Sequence, residues 1–165
     1  MLRIMIVIAA LTVSSAAAWA GPKEDCEQNA DRQRQIKGCT GVIARNPRAT
    51  WAYVNRSHAH ERIGQKEESL ADANKAISLD PANALAYVNR AAAYILYKNY
   101  SAAIADTDKA ISLEPANALA YVNRGYCHEQ LGNREPAIAD YARALALDPA
   151  SQYARNALKR LGAGD

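Results

Sequence analysis

Phenylalanine is absent from the 165 residues, and tryptophan occurs only twice. An alanine-rich chain with so few aromatic plates favours close-packed helices over an aromatic-rich sheet core. A Gly-rich phosphate loop and a Gly-x-Ser-x-Gly elbow are both missing, and the three histidines have no nucleophile to serve. Asp and Glu are spread along the chain instead of converging, so catalysis is not expected. No Lys/Arg cluster of the nucleic-acid-binding kind occurs, which removes nucleic acid as a partner. Cysteine is scarce as well, at three residues.

Long apolar runs are missing too, except at the start. Arg3 supplies a short positive region, residues 4–13 are almost unbroken apolar, and Ala18-Trp19-Ala20 is a small-x-small pattern. Together these read as an export signal cleaved after Ala20, leaving residues 21–165. The alternative is an uncleaved membrane anchor. However, residues 4–20 reach only the lower limit for a span and include Thr12, Ser14 and Ser15. No Cys follows the cleavage site, so neither a lipid anchor nor another stable membrane anchor is expected in the mature chain. Losing Arg3 takes the basic count from 20 to 19 against 17 acidic residues, a balance of +2 that selects no partner class. An exported protein, periplasmic or secreted, meets an oxidising compartment, where the two nearby thiols of Cys26 and Cys39 are expected to pair. Cys127 is expected to be a small buried apolar residue.

The strongest signal is internal repetition. Residues 75–90 recur at 109–124 with one change, Asp80 to Glu114. The offset of 34 is also kept by Pro47, Pro81, Pro115 and Pro149, and by Tyr53, Tyr87 and Tyr121. Ala76, Ala110 and Ala144 keep it as well. Within one unit, Tyr87, Ala91 and Tyr94 stand at i, i+4 and i+7, one stripe of a helix. A break follows at Lys98-Asn99, where neighbouring units carry Gly64-Gln65 and Gly132-Asn133. A second helix follows over 101–113, and Glu114-Pro115 ends it.

This pattern resembles the tetratricopeptide repeat. The resemblance rests on the period, the Tyr-x-x-x-small-x-x-large run, the small residue at 76, 110 and 144, and the closing Asp/Glu-Pro. It implies an all-α fold, a right-handed superhelical stack of antiparallel helix hairpins. Repeats are expected at 50–83, 84–117 and 118–151, with an N-terminal cap and half repeat at 21–49 and a capping helix at 152–165. One hairpin cannot bury its own apolar stripe, whereas stacked hairpins can. Lys98 departs from the pattern at the turn Gly. Ala73 and Thr107 depart from it where Tyr141 is bulky, and His60 and His128 where Tyr94 is.

Arg56, Arg90 and Arg124 lie near the buried stripe, and Asp72, Asp106 and Asp140 follow each by sixteen residues. A buried guanidinium needs a partner, so three structural ion pairs are expected. His58 and His60, at i and i+2 on one helix, diverge and cannot share an ion. His60 and His128 lie two units apart, roughly 20 Å at a helix spacing of about 8–10 Å. No metal and no cofactor is expected.

Asn55, Asn89 and Asn123 lie two residues after the stripe tyrosines. In the proteins this chain resembles, that register lines a concave groove where Asn holds an extended peptide. The same groove is expected to hold Trp51, Leu85 and Leu119; Val54, Val88 and Val122; and His58, Ala92 and Tyr126. Glu61, Glu129 and Arg62 close its side. The competing reading is that the Asn residues brace neighbouring repeats. The chaperone-tail carboxylate clamp of some relatives needs basic residues where Leu119 and Asn123 stand, so that subtype is set aside. The function expected is a periplasmic interaction module for a protein or peptide partner, a scaffold or assembly factor. The alternatives are a homo-oligomerising structural protein and an accessory subunit of an exported enzyme complex.

Overall fold

The Asp/Glu-Pro-Ala-Asn segments that recur through the chain form the corners between hairpins. At one corner Asp80 accepts from the N–H of Ala82 at 3.0 Å, which tightens the turn. Asn83 then caps the next helix by accepting from the N–H of Ala86 at 3.0 Å. The Tyr87 hydroxyl reaches back to the carbonyl of Pro81 at 3.3 Å. Tyr121 repeats that bond to Pro115 and Tyr53 to Pro47, both at 3.4 Å. The shared period of Tyr and Pro is therefore one corner built three times.

The computed structural model describes residues 21–28 and 30–163. The export signal read at 1–20 lies outside these residues. Among the described residues there are nine helices and no strand. They are α1 (Pro22–Glu27), α2 (Arg32–Arg45), α3 (Thr50–Arg62), α4 (Lys66–Leu79), α5 (Ala84–Leu96), α6 (Tyr100–Leu113), α7 (Ala118–Gln130), α8 (Arg134–Leu147) and α9 (Gln152–Arg160). Each helix packs on the next, and α3, α5 and α7 also pack in series as one wall of the stack. None of the described helices is long and apolar enough to cross a membrane.

Small side chains make this stacking possible. Ala52, Ala86, Ala120 and Ala154, the third residues of α3, α5, α7 and α9, are fully buried. Ala76, Ala110 and Ala144 are buried just as completely on the second helices. Without bulk at these crossings, helix axes approach closely and larger neighbouring side chains pack around them. Thr107, at a position read as bulky, is buried with its hydroxyl donating to the carbonyls of Ala103 and Ile104 at 3.0 and 2.8 Å. His60 is buried as well, and its Nδ1 hydrogen-bonds Gln65 at 2.7 Å.

Within the hairpins the turns need a left-handed residue. Gly64 and Gly132 supply it with φ of 76° and 77°, and Lys98 is forced to φ 58° at the same place. At the N-terminus α1 packs on α2, so the cap is a shortened hairpin where the sequence offers only its second helix. Cys26 and Cys39 form a disulfide between them, with Cα atoms 4.4 Å apart. A Cβ at Gly38 would lie 2.6 Å from the backbone nitrogen of Cys26, so only glycine admits so close an approach. Cys127 is buried and free, and burial pushes its thiol up to about 12.

One arginine per repeat ties the stack together. Arg90 grips Asp106 through two parallel hydrogen bonds of 2.8 and 2.7 Å. Arg56 holds Asp72 the same way at 2.7 and 2.8 Å, and Arg124 holds Asp140 at 2.9 and 2.7 Å. The remaining nitrogen of each guanidinium crosses to the preceding repeat. Arg56 meets Thr40 at 2.9 Å, Arg90 meets Asn74 at 2.9 Å and Arg124 meets Asp108 at 2.6 Å. Each arginine also lies over its own repeat's tyrosine, Tyr53, Tyr87 or Tyr121, at 5.7, 5.5 and 5.5 Å from the ring centre. The hydrogen bonds to aspartate outweigh burial and push all three guanidinium pKa values up. These charges are engaged in architecture.

Candidate functional site: the groove lined by the first helices

The wall of first helices carries an exposed apolar ladder. The second residue of α3, α5, α7 and α9 is Trp51, Leu85, Leu119 and Tyr153, exposed by 38, 44, 47 and 47%. Water-facing side chains of this size at one register in four alternate helices are not scattered apolar surface. Beside the last two rungs lies a cleft of about 400 Å³. Leu96 of α5, Leu119, Asn123 and Tyr126 of α7, and Tyr153 of α9 line it, with Glu61 of α3 at its far side. Val122, Ile95 and Ala92 complete the apolar wall. Tyr126 is braced edge-on by Tyr100, with ring centres 6.2 Å apart, which orients its face.

Several residues expected in the groove lie elsewhere. Val54 and Val88 are buried in the core between repeats, because the helix turns that register inward against α4 and α6. Asn89 is also buried, and its amide donates to the carbonyl of Val54 at 2.8 Å. Asn55, half-buried, donates to the carbonyl of Cys26 at 3.3 Å. Both amides thus point back along the stack and join one first helix to the one before it. The expectation that they hold a peptide is corrected accordingly: each amide is turned back to donate to the backbone of the preceding first helix. Asn123 differs. It lines the cleft, and its side chain makes no hydrogen bond among the described residues.

Glu129 is not a free groove residue either. Arg160 holds both of its carboxylate oxygens, at 2.8 and 2.9 Å, and the Tyr141 hydroxyl donates to it at 2.8 Å. The Arg160 hydrogen bond holds its carboxyl below the usual range, with Tyr141 adding to the effect. His58 is half-buried and Arg62 exposed. Burial, then Arg32 and Arg62, push the His58 imidazole down and favour its neutral form. Tyr153 and Leu96 were not among the residues expected in the groove. Tyr153 had a signal, standing 34 residues after Leu119, but it falls in a helix whose expected task is only to cap the stack.

Comparison with known proteins places this arrangement. Two family models described as "Tetratricopeptide repeat" match the chain, one at residues 118–151 and the other at 52–83 and 84–117. No curated protein matches it. Among solved structures, the Arabidopsis OM64 TPR domain is 33% identical with a TM-score of 0.66, covering 69% of this chain and 94% of that one. The second TPR domain of human RPAP3, in complex with the HSP70 peptide SGPTIEEVD, is 29% identical with a TM-score of 0.61. That match covers 67% of this chain and 92% of the other. The first TPR of Spaghetti (RPAP3), bound to the HSP90 peptide SRMEEVD, is 28% identical with a TM-score of 0.65, covering 68% and 90%.

Proposed function

The chain belongs to the tetratricopeptide-repeat family, and from that premise we propose that it is a non-catalytic module taking an extended segment of a partner protein into the cleft between α5, α7 and α9. The observation carrying this reading is the apolar ladder at one register, ending beside an Asn123 amide that no described residue engages. Apolar rungs bury a partner's side chains, and a free amide can both donate to and accept from its backbone. Large exposed apolar side chains away from this face, such as Tyr97 and Leu131, sit singly at hairpin turns, which favours the groove over self-association.

Export to the periplasm, with a scaffold or assembly role there, is part of the same proposal. The signal pattern of residues 1–20 and the Cys26–Cys39 disulfide support it. Mass spectrometry of the fractionated protein should then find a chain beginning at Gly21; an intact Met1 species in the membrane fraction would remove that part. For the groove, a periplasmic partner captured by the wild type should be lost with Leu119→Asp at an unchanged melting temperature. A partner retained equally by both proteins would sink the reading.

A further inference from the structure

Glu61 and Glu129 occupy the same register position two repeats apart, since 68 residues is twice the period. At Glu129 the position is complete: Arg160 forks onto the carboxylate and Tyr141 donates to it. Moving those two partners back by 68 residues gives Ala92 and Ala73. Both are too short to reach Glu61, and Ala92 is itself part of the cleft wall. The Glu61 carboxylate accordingly makes no hydrogen bond and no ion pair among the described residues.

The surroundings leave that charge under-compensated. Burial pushes the Glu61 carboxyl up, and the opposing pull of Arg62 and Arg32 does not cancel it. Every other residue lining the cleft is uncharged. A half-buried carboxylate without a partner is an unfavourable state of the empty groove, and a cation supplied from outside relieves it.

We infer that the segment taken up by this cleft carries an arginine or lysine beside its apolar residues, with the cation seated on Glu61 above Ala92, where Arg160 sits for Glu129. This inference rests on the cleft reading proposed above and adds the chemistry of its occupant. Arginine is the better fit, because its planar fork gives two parallel bonds to one carboxylate, as the chain's own Arg160 does. The peptide SGPTIEEVD held by the second TPR domain of RPAP3 has acidic residues and no basic one, and so would bring the wrong charge to Glu61.

The test is a random-peptide display selection on the full chain, followed by anisotropy titration of the selected peptides. Selected peptides should combine apolar residues with one Arg or Lys. Changing that residue to Gln should weaken binding about tenfold or more, as expected for loss of a charged hydrogen-bonded pair. Against Glu61→Gln the same peptide change should have little effect, with the melting temperature of the variant held or raised. An equal loss against wild type and Glu61→Gln, or selected peptides without basic residues, would overturn the inference and leave the groove standing. Peptides that bind Leu119→Asp as well as wild type would overturn the groove and the inference together.

Discussion

Asn89 donates its side-chain amide to the carbonyl of Val54, 2.8 Å away and 35 residues earlier in the chain. Helix α3 needs nothing from α5 to complete its own hydrogen bonds, so this contact fixes how one repeat sits on the previous one. Replacing Asn89 by Ala removes the donor inside a buried crossing and should cost about 0.5–1.5 kcal/mol, since the Val54 carbonyl keeps its bond within α3. Asn123→Ala, at the same register but facing the cleft, should leave the melting temperature within roughly a degree or two and weaken partner binding. Thermal melts of the two variants side by side check this. Equal melting temperatures would remove the distinction between them.

The arginine clamp makes a graded prediction. Asp106→Ala strands the Arg90 guanidinium with most of its surroundings protein, and should destabilise by about 3 kcal/mol. Asn74→Ala takes away only the third, inter-repeat contact of Arg90 and should cost about 1 kcal/mol. Urea denaturation of both gives the order. If Asn74→Ala costs as much as Asp106→Ala, the link between repeats outweighs the pair within one.

How much of this was legible depends on whether a contact repeats with the sequence. Arg90 and Asp106 recur at a fixed spacing in every unit, so their pairing is written in the period. The third partners, Thr40, Asn74 and Asp108, differ chemically from unit to unit, and only their shared offset of sixteen residues before each arginine marks them. The asparagines show the limit from the other side. A polar residue beside the buried stripe looks the same whether it faces a groove or turns back to a carbonyl, and a small rotation of the helix decides between them. Glu61 and Glu129 look alike for a similar reason: their difference lies in Ala92 against Arg160 and Ala73 against Tyr141, residues up to 31 positions away.

The α5–α6 turn offers a gain in stability. Lys98 holds φ 58°, a left-handed conformation that costs a side-chain-bearing residue about 1–2 kcal/mol, while Gly64 and Gly132 take the same turn freely. Glycine gives some of this back through the entropy of the unfolded chain, so Lys98→Gly should stabilise by up to about 1 kcal/mol. Calorimetry should show a higher melting temperature. A fall would mean that the lysine side chain makes a favourable interaction larger than its backbone strain.

The last prediction concerns acid and the C-terminal cap. Arg160 and Tyr141 hold the Glu129 carboxyl below its ordinary range, so the folded chain favours the ionised form more than the unfolded chain does. A depressed carboxyl contributes stability that is fully present above the unfolded-state value, near 4.3, and is lost as pH falls through the lower folded-state value. Because the Arg160 side chain is 53% exposed, the contribution is that of a partly screened pair, about 1 kcal/mol. Glu129→Gln should therefore destabilise the chain at pH 7 by roughly that amount, while wild type and variant converge as pH falls below the unfolded-state value and through the lower folded-state one. Arg160 is on α9 and Glu129 on α7, so hydrogen exchange should place the loss in α9 first. Parallel stability curves from pH 7 to 3, with no convergence, would show that this pair does not hold the cap.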